Sequence, residues 1–70
     1  AILPLSAILP GLESQYGARL LSVELDEEHD RLVYEFELIT PRGQIVDVNV
    51  DAATGAVITT EPGHHDEDDD

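Results

Sequence analysis

The sequence contains no cysteine, methionine, tryptophan or lysine, and its aromatic side chains are one Phe and two Tyr. Without cysteine there is no disulfide to staple a small fold and no thiolate site for a metal. With three Arg against sixteen acids the formal net charge is −13. Six of those acids lie in residues 61–70, so residues 1–60 carry ten acids and three Arg, a net of −7. Nucleic acid and anionic lipid repel such a surface, whereas a basic protein or a cation is admitted. No apolar run approaches the roughly 20 residues that span a bilayer, which excludes direct membrane insertion by a helix. A start at Ala1 with no Met is expected of a processed product or an excerpt of a longer chain.

Seventy residues hold one core, and a domain of this size buries only about 60% of the surface its unfolded chain exposes. The core must therefore come from patterned segments. Leu5, Ile8, Leu9, Leu12 and Tyr16 follow helical spacing, with Ser6 as the expected N-cap, Gly17 suited to the left-handed C′ position, and Pro10 an awkward guest in the first turns. The spacing predicts a helix over Ala7 to Tyr16.

Beyond Gly17 the period changes to two. Leu21, Val23 and Leu25 alternate with Ser22, Glu24 and Asp26. After the polar connection 27–30, Leu32, Tyr34, Phe36 and Leu38 alternate with Val33, Glu35, Glu37 and Ile39. Past the Pro41-Arg42-Gly43 turn, Val46, Val48 and Val50 alternate with Ile45, Asp47 and Asn49. A short fourth strand is expected from Ala56 to Thr60. These patterns, joined by short turns, predict an α+β fold: one N-terminal helix packed on one face of a three- to four-stranded antiparallel meander. The expected organisation is an apolar leader over residues 1–5, a domain over 6–60 and a disordered acidic tail over 61–70.

The stretch Gln44 to Ile58 organises the rest. Between its two apolar runs, Asp51 and Thr54 have short side chains suited to bonding nearby backbone, and Gly55 takes φ > 0 without steric cost. Asp51-Ala-Ala-Thr54-Gly55-Ala-Val57, preceded by Gly43 to Val50, resembles the end of a PepSY domain. Val33 to Phe36, the Pro41-Arg42-Gly43 turn and the segment Ile2 to Leu9 also fall where that family places them, so the resemblance covers residues 2–60. The family occurs in propeptides of secreted metalloproteases and in small exported bacterial proteins. The resemblance implies a periplasmic or secreted, non-catalytic module that restrains a protease or modulates an envelope sensor protein in trans. It offers no catalytic residues. Tyr34, Gly43, Asp51, Thr54 and Gly55 match its recurring positions and are expected to maintain the fold.

Two further features carry chemistry. Glu24, Glu35, Glu37, Asp47 and Asn49 are expected on the sheet's second face, read either as a solvated surface or as the contact for a basic partner or cation. His64, His65 and Asp66 open an acidic tail that could chelate a divalent metal without preset geometry; no other cofactor is expected. No serine has a recognisable His/Asp partnership, and the acids fall on an open surface, so no enzyme is expected. Two rival readings are an envelope metal-binding protein using the His/Asp tail and an interaction domain excised from a larger membrane-anchored protein. The expected oligomeric state is a monomer or a weak homodimer by edge pairing.

Overall fold

A computed structural model describes residues 1–62. One helix, α1 (Leu5–Tyr16), precedes four strands: β1 (Arg19–Glu28), β2 (Arg31–Ile39), β3 (Ile45–Asp51) and β4 (Val57–Pro62). The strands pair in the order β1-β2-β3-β4, all antiparallel, as the alternating pattern predicts.

α1 begins two residues before the expected Ala7. Pro4 rather than Ser6 occupies the N-cap position, and no side chain caps this end. Pro4 fits because its φ of −71° suits an extended entry, and its carbonyl accepts from Ala7 N–H. Pro10 lies inside the helix and lacks the N–H that would bond to the carbonyl of Ser6. The other end is well closed. Gly17 adopts φ 58°, ψ 40°, and Ala18 N–H reaches back to the Glu13 carbonyl at 3.0 Å, the long-range bond of a left-handed helix stop.

The helix buries Ile8 and Leu12 against Phe36, Leu38, Val48 and Val50 of the sheet, with Ala18, Tyr34 and Ala52 completing the core. Two hydrogen bonds tie its C-terminal half down: the Glu13 carboxylate accepts from Leu20 N–H at 3.0 Å, and the Tyr16 hydroxyl bonds Thr60 Oγ1 at 2.8 Å. At the other end, Leu3 N–H donates to the Ala52 carbonyl at 2.7 Å and the Leu3 carbonyl accepts from Tyr34 O–H at 2.8 Å.

The faces depart from simple alternation in two places. The β1 register shifts between Leu20 and Ser22, so Leu20 pairs with Leu38 and packs on the core, while Leu21 is 51% exposed. The expectation that Leu21 points inward is thus corrected: a bulge gives β1 one extra residue, and the second of two adjacent leucines takes it. A second bulge, in β4, puts Val57 opposite Val50 and Thr59 opposite Asn49, with Ile58 as the extra residue. Leu32, expected in the core with Tyr34, is instead exposed, because the cover does not extend that far along β2. Val33 on the opposite face is only 2% exposed; it lies in register between Asp26 and Asp51, beside Asn49 and Ile58.

The connections are short. β1 and β2 join through His29 and Asp30 alone, both with positive φ, 52° and 65°. That pair of signs belongs to the hairpin turn whose twist matches the strands, usually built from Asn and Gly. The β2–β3 connection closes with Gly43 N–H on the Thr40 carbonyl at 2.8 Å and Gln44 N–H on Thr40 Oγ1 at 3.0 Å. β4 runs past the expected Thr60 to Pro62, bringing Glu61 into the sheet.

Candidate functional site

The sheet has one covered face and one open face, and strand register decides what the open face carries. One cross-strand row reads Glu24, Glu35, Asn49, Thr59; the next reads Ser22, Glu37, Asp47, Glu61. Neither row holds a basic residue. Seven of these eight residues, all but Thr59, line one shallow open depression of about 330 Å³. The structure thus brings Glu24, Glu35, Glu37, Asp47 and Asn49 together.

Direct opposition is what distinguishes the arrangement. Glu24 faces Glu35 across β1–β2, Glu37 faces Asp47 across β2–β3, and Asp47 faces Glu61 across β3–β4. Like charges so placed destabilise a sheet, by about 0.2–1 kcal/mol per pair. A hydrogen bond to a carboxylate offsets part of this, since Ser22 O–H donates to Glu37 Oε1 at 3.0 Å; in the neighbouring row Asn49 Nδ2 donates to Thr59 Oγ1 at 3.0 Å. Two of the three Arg lie toward the ends of the face. Arg19 stands in the row of Ile39, and Arg31 Nε is 3.5 Å from Asp51 Oδ2.

Glu35 feels the crowding most. Burial, then the carboxyl groups of Asp26 and Glu28 within hydrogen-bonding reach, push its pKa up to about 7. A carboxylate only accepts hydrogen bonds, so acids this close favour the protonated, donating form of Glu35. Asp26, Glu28 and Glu61 join the face only in the structure. The alternation of β1, which sets Asp26 on the side of Glu24, is the signal available in the sequence; Glu61 has none, because it falls in the expected tail.

Oxygen atoms of Glu24, Asp26 and Glu35 lie within 4.8 Å of one another, close enough to approach one cation. Hard cations such as Ca²⁺ take about six to eight oxygen ligands, so these three exposed or half-exposed groups, at one oxygen each, supply at most half a shell. The other proposed metal ligands, His64, His65 and Asp66, lie outside the described residues.

The turn after β3 is a knot of hydrogen bonds. Asp51 Oδ1 accepts from Ala53 N–H at 2.8 Å and Thr54 N–H at 3.1 Å, while Thr54 Oγ1 accepts from Ala56 N–H at 3.2 Å. Gly55, at φ 81°, donates its N–H to the Asp51 carbonyl. A Cβ there would lie 3.2 Å from Leu3 Cδ1, so this position needs glycine both for its φ and for the close approach of the N-terminal segment. Gly43, at φ 83°, sits in the separate β2–β3 turn. Gly43, Thr54 and Gly55 shape backbone, and Asp51 does so while its second carboxylate oxygen pairs with Arg31.

Comparison with curated proteins and with solved structures gave no match. Comparison with protein families matches residues 3–61 to PepSY, the peptidase propeptide and YPEB domain. The match spans the helix, the first three strands, the Asp51–Gly55 turn and all of β4 but Pro62, so this chain belongs to the PepSY family.

Proposed function

We propose that the chain is a regulatory binding module that engages a basic surface of a protein partner through the open face of its sheet. PepSY domains are generally non-catalytic and typically extracellular or in the cell envelope. No helix among the described residues is long and apolar enough to cross a membrane. In this reading the chain acts in the periplasm or outside the cell, and its partner is a protease or an envelope sensor protein that it restrains in trans.

The observation that carries the reading is the run of opposed carboxylates: Glu24 against Glu35, Glu37 against Asp47 and Asp47 against Glu61. A surface kept only for solubility gains nothing from placing like charges directly across from one another, since interspersed charges solubilise without that cost. A partner's arginines and lysines relieve the repulsion on binding. The face then contributes more to encounter rate and specificity than to raw affinity.

Affinity capture from an envelope extract tests this, with wild type and the double variant Glu37→Lys/Asp47→Lys as parallel baits at about 0.05 M and 0.5 M salt, where screening differs severalfold. A protease or sensor ectodomain held by wild type at low salt, released at high salt and absent from the variant is the expected result. A partner retained equally by both baits would sink the open-face reading. Protease restraint is checked separately, by adding the purified domain to the captured enzyme and following hydrolysis of a protein substrate.

A further inference from the structure

Every residue from Glu24 to Leu32 is exposed although both strands are paired, so the end of the β1–β2 hairpin projects beyond the core. On its helix side stand Leu25 and Leu32. Leu25 is opposite Tyr34 and Leu32 opposite Glu27, which makes the two leucines diagonal neighbours within reach of each other. Ile2 joins them: it and Leu32 line one depression with Asp30 and Arg31. Leu25, Leu32 and Ile2 are 47%, 42% and 39% exposed, while Val23, Phe36 and Leu38 farther along the same face pack into the core. Acids predominate around the patch: Arg31, which lines the same depression, is paired with Asp51. Glu27 stands directly across from Leu32, and Asp30 occupies the turn.

We infer that Leu25, Leu32 and Ile2 form a docking surface for a short apolar segment of a partner protein, flanked by lysine or arginine. Charge and area select this occupant. The border is acidic and the chain carries −13 overall, so basic flanks are attracted, whereas an anionic lipid surface is repelled. A second copy would bring one acidic hairpin against another. Three half-exposed side chains also fall well short of the roughly 800 Å² per partner that a standard interface buries. An apolar segment with two or three anchors matches the patch in size, and large exposed side chains rimmed by polar ones mark such contacts. The surface uses side chains other than those of the open face, so either reading can fail while the other stands.

The test is a titration of the isotope-labelled full chain, followed through its amide resonances, with three synthetic peptides at about 0.15 M salt. One has a leucine-rich centre and lysine flanks, the second a serine centre with the same flanks, the third a leucine-rich centre with glutamate flanks. The expected result is saturable shifts at Ile2, Leu25, Glu27 and Leu32 with the first peptide only. In Leu25→Ser and in Leu32→Ser, affinity for it falls about tenfold or more, the loss of a typical apolar anchor, while Glu37→Lys leaves those shifts in place. Equal binding of the serine-centred peptide, shifts confined to the open face, or no shifts at all would each overturn the inference. So would concentration-dependent self-association abolished by Leu25→Ser, since the occupant would then be a second copy. The three-peptide comparison on the wild-type chain does not depend on either variant folding.

Discussion

The two faces of the sheet are built from the same strands, residue by alternate residue, yet they obey different rules. On the helix side, Leu38, Val48 and Val50 are fully buried and Phe36 nearly so, and α1 closes over them. Each side chain there is held by what it touches, and removing one leaves a cavity. On the open side, Glu24, Glu35, Glu37, Asp47 and Glu61 stand in adjoining cross-strand positions, and the same backbone bears a mild electrostatic cost. The helix-covered face holds most of the core, while the open face buries Val33 and otherwise carries polar side chains. Substitutions should therefore separate cleanly by face.

The sharpest break is a cavity on the covered side. Phe36→Ala is expected to cost about 3–5 kcal/mol, a large share of the roughly 5–15 kcal/mol that holds a typical domain together. Urea denaturation should show the midpoint collapsing, or no folded baseline at all. Next comes the turn that joins β3 to β4. Asp51→Ala removes the acceptor for two backbone N–H groups and the partner of Arg31, and is expected to cost about 1–3 kcal/mol, read from thermal unfolding.

The hairpin tip offers a change of opposite sign. His29 and Asp30 both hold positive φ, so His29→Asn together with Asp30→Gly should stabilise by about 1–2 kcal/mol in thermal unfolding. An unchanged or lowered midpoint would show that the tip is relaxed as it stands.

The smallest effect belongs to the open face and depends on pH. The folded-state pKa of Glu35 is raised from 4.5 to about 7, so between those values the folded chain binds more protons than the unfolded one. Its contribution to stability is fully present below about pH 4.5 and is lost as pH rises through about 7. Glu35→Gln should match wild type at the acid end and exceed it above neutrality, by about the 0.2–1 kcal/mol of one relieved like-charge pair. A variant with the same pH slope as wild type would show that Glu35 is not the group that titrates.

Much of this contrast is readable in the chain. The change from helical spacing before Gly17 to alternation after it announces one helix and a meander, and Gly17 itself marks the junction with a left-handed φ. Glu24, Glu35, Glu37, Asp47 and Asn49 share a face for the same reason that Leu38 and Val48 share the other: successive side chains in a strand point opposite ways. Where alternation breaks, the sequence carries no mark. Leu20 and Leu21 are chemically alike, so nothing local says which enters the core. The Glu13 carboxylate on Leu20 N–H and the pairing of Leu20 with Leu38 accompany that choice, and both are contacts between distant segments. Leu32 follows the inward pattern as well as Tyr34 does, but cover depends on how far the helix and the N-terminal segment reach.

The sequence by itself determined the order of elements, the turn chemistry at Gly43 and Asp51, and a strongly acidic net charge, because periodicity, backbone preference and net charge are local or additive properties. Tertiary structure alone decided which leucine enters the core, how Glu61 joins the acidic face, and why Glu35 holds a proton near neutrality. Those outcomes depend on register and on distances between strands, which arise only when the chain has closed on itself.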